Sequence, residues 1–204
     1  MMREQHWNRV YDTKESDAVS WYQSTPVTSL RLLDAAGLNA GSCVIDVGGG
    51  DARLVDALLA REIRCVYVLD VSFSAIARAR SRLPDGGPSV KWIVADVTAD
   101  WPVPQVDFWH DRAVFHFLVD ADDRERYIAN LRKALKLGGY ILIATFAPDG
   151  PTKCSGLPVV RYSRESLIAD FGGDFEPEGS LIESHVTPIG TRQPFLYALF
   201  RRIK

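Results

Sequence analysis

Short unbroken apolar runs alternate along this chain with stretches whose apolar positions recur every three or four residues. The runs are CVIDV (43–47), CVYVLD (65–70), VKWIVAD (90–96), VDFWH (106–110) and YILIATF (140–146). They are rich in branched and aromatic residues, which suits strands buried on both faces. Between them ARLVDALLARE (52–62), SFSAIARARSRL (72–83) and DDRERYIANLRKALKLGG (122–139) carry helical spacing, the last closing on the glycines expected at a helix end. Upstream, Thr25-Pro26 reads as an N-cap and first helical residue of a helix running to Gly37. Downstream, ESHVTPIG (183–190) and PFLYALFRR (194–202) read as two terminal strands. Strands alternating with helices predict right-handed βαβ units and a parallel sheet, an α/β doubly wound architecture in one domain over residues 1–204.

Composition narrows the function classes. The 204 residues carry a net charge of −2 and are 47% hydrophobic, which describes a globular core without a general pull toward nucleic acid or anionic lipid. Eighteen of the 24 basic residues are arginines, so a local basic patch stays open, but no nucleic-acid partner is expected. No apolar run approaches a membrane span, and MMREQHWNRV lacks the apolar core of a signal peptide; the expected location is cytoplasmic. Cys43, Cys65 and Cys154 are too few and scattered for a disulfide framework or metal site; Cys43 and Cys65 are expected as buried filler. No metal-ligand spacing occurs.

In such a sheet ligands bind beyond the carboxyl ends of the strands. There VIDVGGGDAR (44–53) places Gly48, Gly49 and Gly50 where the chain leaves its strand, and the following helix offers free N–H groups. One glycine would suffice for a tight turn; three leave bare backbone for a ligand. A dinucleotide fingerprint wants another glycine where Arg53 stands, so a pyrophosphate fits poorly. Asp70 ends its strand twenty residues after Gly50, at about the separation at which a carboxylate receives ribose hydroxyls. Taken alone, Asp70 reads equally as a helix cap, and so does Asp96 in VADVTADW. Three acidic strand ends in succession, Asp46, Asp70 and Asp96, are harder to assign to capping and describe a nucleoside site without phosphates.

These residues resemble the class I S-adenosylmethionine-dependent methyltransferases, and the resemblance spans nearly the whole chain. VIDVGGGDA is similar to the family's first motif, an acidic residue followed by GxGxG, with Ala52 where the last glycine is usual. The resemblance implies a seven-stranded sheet ordered 3-2-1-4-5-7-6, with the seventh strand antiparallel. It implies S-adenosyl-L-methionine as methyl donor and S-adenosyl-L-homocysteine as product. Asp46, Gly48 and Gly50 would line the donor, Asp70 with Val71 would hold the ribose, and Asp96 with Val97 would face the adenine.

The fourth strand runs into HDRAVFHFL (110–118), where the family transfers its methyl group, so His110, Asp111, Arg112 and His116 are the candidate catalytic or anchoring residues. A histidine there suits acid–base work, because its pKa lies near neutrality. The bland reading has His116 packing between Phe115 and Phe117, and Asp111 pairing with Arg112. A sulfonium is already activated, and alignment can supply most of the acceleration.

Trp7, Tyr11, Trp21 and Tyr22 precede the first strand. They are either a lid over the donor, with Trp21 near the sulfonium, or packing on the outside of the sheet. The Pro- and Gly-broken stretch 147–163 is the other candidate wall, with Lys153, Cys154 and Arg161 facing the acceptor. The acceptor is expected to be a small molecule offering a nitrogen, oxygen or sulfur atom. A protein-lysine methyltransferase, a catalytically silent donor-binding protein and an NAD-dependent oxidoreductase stay as alternatives.

Overall fold

The computed structural model describes residues 2–204. Seven strands form one sheet: β1 (Cys43–Val47), β2 (Cys65–Asp70), β3 (Val90–Val94), β4 (Val106–Arg112), β5 (Leu135–Phe146), β8 (Phe175–Val186) and β9 (Arg192–Arg202). Two-residue strands β6 (Lys153–Cys154) and β7 (Leu157–Pro158) make a separate small hairpin. The sheet order is β3-β2-β1-β4-β5-β9-β8; leaving the small hairpin out of the count, this is the expected 3-2-1-4-5-7-6. The strands from β3 to β5 pair in parallel, and β9 is antiparallel to both its neighbours.

The near-continuous apolar runs are explained by burial on both faces. Alternate residues of β1 feed two cores: Ile45 and Val47 pack with Tyr127, Leu131, Leu167 and Phe171 from α5 (Ala121–Ala134) and α6 (Arg164–Phe171). Val44 packs on the opposite face with Leu30, Leu33, Leu54, Leu58 and Ile76 from α2 (Val27–Ala35), α3 (Leu54–Ala60) and α4 (Phe73–Arg82). Each fully buried side chain of this size contributes roughly 1.5–3 kcal/mol. α1 (Met2–Thr13) lies across the carboxyl ends of the strands, contacting α4. Among the described residues no helix is long and apolar enough to cross a membrane.

Several sequence expectations need correction. α5 stops at Ala134, and LKLGG joins β5, because Leu135 pairs with Val106 before a register shift that ends where Tyr140 pairs with Phe108. A Cβ on Gly139 would stand 2.8 Å from the Asp107 carbonyl, so the glycine allows a close strand approach rather than a helix end. Thr25 gives α2 no side-chain cap; Pro26 is its N-cap residue. The sixth strand begins at Phe175, not Glu183, and ESHVTPIG spans its end and the turn at Thr187–Thr191. FEPEGSLI forms an edge strand that alternates partly buried with exposed residues, despite Pro177 and Gly179. α6 carries a capping box between Ser163 and Ser166. Cys43 and Cys65 stand in register on adjacent strands with Cα atoms 4.6 Å apart, and their sulfurs are bonded; they are not independent filler.

Candidate functional site

The glycine turn crosses the end of β2. Gly48 (φ 65°) donates its N–H to the Leu69 carbonyl at 2.7 Å, and a Cβ there would stand 2.0 Å from Val114 Cγ2. A Cβ on Gly50 would stand 2.5 Å from Asp70 Oδ2 and 2.9 Å from the Ala75 methyl. Both positions therefore exclude side chains for a stated reason: one makes room for the turn after β4, the other for a carboxylate.

That carboxylate, Asp70, is 5% exposed and accepts the Ser72 N–H at 2.7 Å. Burial raises its pKa to about 7, against the opposing pull of the Ser72 amide. Ser72, not Asp70, caps α4, its hydroxyl accepting the Ala75 N–H at 3.1 Å, so the capping alternative for Asp70 falls. Asn8 of α1 in turn accepts the Ser72 hydroxyl at 2.7 Å, pinning α1 beside Asp70.

Asp46 is 2% exposed and its Oδ1 lies 2.7 Å from His110 Nδ1. A carboxylate only accepts, so Nδ1 donates. Ser29 of α2 closes the chain at Nε2, 2.9 Å away. Asp46 Oδ2 is buried without a partner, beneath Gly49, where a Cβ would stand 2.5 Å from it. Asp46, Gly49, His110 and Tyr22 line a smaller hollow that shares Tyr11, Trp21, Gly48 and Arg112 with the main one.

The main hollow encloses about 770 Å³ of empty space, counting the open solvent at its mouth. Asp70, Val71, Asp96 and Val97 line one side, and Trp7, Trp21, Phe117, Leu118 and Cys154 line another. Trp7, Tyr11 and Trp21 meet edge to face or tilted, with ring centroids 5.8–6.4 Å apart, and Trp7 meets Phe117 at 5.1 Å. Arg3, Trp7 and Tyr11, four residues apart, present one face of α1 to the hollow.

The four candidates after β4 separate. His110 and Arg112 reach the hollows; Asp111 and His116 do not. Asp111 points to the opposite face of the sheet, fully buried, accepting the Val114 and Phe115 N–H groups and the Tyr127 hydroxyl at 2.7–3.1 Å. Burial raises its pKa to about 6. It shapes the turn that passes Ala113 (φ 74°), and it makes no pair with Arg112. His116 is fully buried, with Nδ1 accepting the Phe146 N–H at 3.3 Å and the ring 4.7 Å from Phe146. Burial lowers its pKa to about 3, so it stays neutral and packs as its phenylalanine neighbours do. Arg112 donates to the Tyr197 hydroxyl at 3.0 Å and to the Trp21 carbonyl at 2.9 Å, with its guanidinium 4.5 Å above the Phe195 ring.

Asp96 accepts the Thr98 N–H and hydroxyl at 2.9 and 2.7 Å, and pairs with Arg3 at 3.1 Å. Burial pushes its pKa up, but Thr98 and Arg3 outweigh it and leave it lowered. Arg3 also bridges to Asp123 at the start of α5. The carboxylate expected to face an adenine is thus engaged in tying α1 down. In the 147–163 stretch, Cys154 reaches the hollow; Lys153 and Arg161 are exposed. Ser29, Asn8, Arg3, Phe195 and Tyr197 were not legible as site residues, because distant segments bring them in. The four-residue spacing of Arg3, Trp7 and Tyr11 was a usable signal.

Residues 44–139 match the methyltransferase domain family model. Over that segment, a little under half of the chain, the protein is similar to methyltransferase domains. An uncharacterized methyltransferase of Mycobacterium tuberculosis is 32% identical over 116 residues, 56% of each chain. The chain spans about half the length of the curated relatives it matches. Among solved structures, a protein from work on the conversion of a disulfide bond into a thioacetal group during echinomycin biosynthesis superposes with a TM-score of 0.75. It is 19% identical, over 98% of this chain and 91% of its own. The N-methyltransferase NodS from Bradyrhizobium japonicum, in complex with S-adenosyl-L-homocysteine, gives 0.73 at 18% identity, over 97% of this chain and 98% of its own. These two establish a shared fold.

Proposed function

We propose that this protein transfers a methyl group from S-adenosylmethionine to a nucleophilic nitrogen, oxygen or sulfur of a small acceptor. The observation that carries the reading is Asp70: a buried carboxylate at the wall of the hollow, beside a glycine that any side chain would crowd. Ribose hydroxyls would donate to it, and Val71 and Val97 would flank the adenine. The partnerless Oδ2 of Asp46 beneath Gly49 suits the donor's ammonium group. NAD is a poorer fit, since Arg53 follows the turn and this part of the hollow offers no cradle for a pyrophosphate.

The bound donor supplies an activated methyl. Gly48 lets it approach the backbone, Gly50, which lines neither hollow, makes room for the Asp70 carboxylate, Asp46 and Asp70 hold its two ends, and Trp7, Tyr11 and Trp21 close over it and exclude water. His110 acts through Asp46 as a positioning residue, its two ring nitrogens already engaged by Asp46 and Ser29. Rate acceleration then comes from alignment, with no general base among these residues. The aromatic cover favours an acceptor small enough to enter beneath α1. Incubation with methyl-labelled donor and fractionated cell extract tests the reading. Label in a metabolite fraction supports it, label confined to protein overturns the small acceptor, and donor binding without turnover makes the protein a silent binder.

A further inference from the structure

The unexplained group in the hollow is Arg112. Its guanidinium has three sides occupied, all by neutral groups: the Tyr197 hydroxyl, the Trp21 carbonyl and the Phe195 face. Its remaining nitrogen, Nη2, is buried without a partner. Among the described residues no carboxylate stands within 4 Å of it, although twelve arginine, lysine or histidine side chains elsewhere pair with one. A partly buried cation without a counter-charge carries a desolvation cost that a bound anion would offset. The surrounding histidines do not help: Arg112 itself contributes to holding His116 and His185 neutral. The fold has therefore fixed a planar, two-donor group at the wall of the hollow with its charge unspent. Such a fork matches a carboxylate better than any neutral partner.

We infer that Arg112 is the receptor for a carboxylate on the methyl acceptor, so that the substrate is a flat, largely apolar carboxylic acid. The reading rests on the methyl-transfer function proposed above and names the acceptor class for that same site. A carboxylate is also present on the donor, and both sources share the chemistry. The partnerless Asp46 oxygen draws the donor's ammonium to the smaller hollow, which Arg112 also lines, so the donor's carboxylate is the rival occupant. One observation favours the acceptor. In the main hollow, the wall continuing from Arg112 is aromatic and apolar, made of Trp7, Trp21, Val114, Phe117 and Cys154, and the other arginine there, Arg3, is already bound to Asp96 and Asp123. A flat ring would stack on that wall while its acid group reached Nη2.

Matched probes test this on the full chain saturated with S-adenosylhomocysteine: benzoate against benzamide, and indole-3-acetate against indole-3-acetamide, read by the shift in melting temperature and by calorimetric titration. The acid of at least one pair should bind at least about tenfold tighter than its amide, the scale of one charge-assisted hydrogen-bonded pair. That preference should vanish in Arg112→Gln and persist in Tyr197→Phe, which keeps the charge. Equal affinity for acid and amide in both pairs overturns the inference, and this arm needs no variant. If Arg112→Gln weakens S-adenosylhomocysteine about tenfold or more, Arg112 serves the donor's carboxylate and the acceptor assignment falls. A failure of S-adenosylhomocysteine to bind the unmodified protein would instead remove the underlying function, so the two failures are distinguishable.

Discussion

The ends of β2 and β4 face one hollow with opposite chemistry and opposite construction. Asp70 at the end of β2 is engaged within the stretch from residue 48 to residue 72: it accepts the Ser72 amide, and Gly48 of the glycine turn donates to adjacent Leu69. Arg112 at the end of β4 is held by groups 91 and 85 residues away, the Trp21 carbonyl and the Tyr197 hydroxyl. The Asp70 side, proposed for the donor, is therefore a local device and the Arg112 side, proposed for the acceptor, a tertiary one. Local devices leave spacing signatures in a sequence, and tertiary ones leave only residue types. They should also fail differently: changes at the glycine turn should abolish the donor site, whereas changes around Arg112 should reshape preference.

The largest effect should follow Gly48→Ala. The new methyl meets Val114 Cγ2 at a backbone φ of 65°, and strain plus overpacking should cost about 2–5 kcal/mol of stability. S-adenosylhomocysteine affinity should fall by about two orders of magnitude. Adding Val114→Ala should restore part of both, which calorimetry and thermal melts would reveal. A Gly48→Ala protein that binds normally would remove the close-approach argument.

Next in size is the lid. Trp21→Ala opens both hollows, so turnover and donor affinity should each drop by roughly tenfold; Trp21 is only partly buried against the core, so the fold should be kept. An unchanged donor affinity would make the aromatic cover mere packing.

A smaller effect separates the two histidines. His110→Ala should lower the rate several-fold and evenly across pH, because His110 positions Asp46. His116→Phe should leave the pH–rate profile alone. It should also improve acid tolerance. The native His116 pKa of about 3 lies below the unfolded value near 6.5, so the stability tied to neutral His116 is present above 6.5 and is lost as pH falls toward 3. A pH profile that flattens in either variant would restore the acid–base reading.

The alternating strands and helices, the three acidic strand ends and the glycine turn were readable in the sequence, since burial on both faces and the need for bare backbone each constrain residue type at fixed spacing; the sheet order followed only from the family resemblance. The division of roles after β4 was not. His110, Asp111 and Arg112 alternate across the sheet, so Asp111 turns to the α5 side and only its neighbours reach the hollows. The engagement of Asp96 by Arg3 was equally hidden, as the two lie 93 residues apart. FEPEGSLI concealed a strand because an edge tolerates Pro177 and Gly179.

The central claim is that the buried carboxylate of Asp70 receives the ribose of the donor, and its raised pKa makes this directly measurable. Folding raises that pKa from the ordinary range near 4 to about 7, so Asp70 favours the folded state at low pH, and this contribution is lost as pH rises from about 4 to 7. The ionised form is the one that accepts two hydroxyls. Calorimetric titration of S-adenosylhomocysteine at pH 6, 7 and 8 should show the wild-type Kd improving roughly tenfold across that range, in step with the ionised fraction. Asp70→Asn should bind at least about tenfold more weakly than wild type at pH 8, with no such trend and with the fold intact. Wild-type and Asp70→Asn proteins that bind equally well at pH 8 would contradict the account.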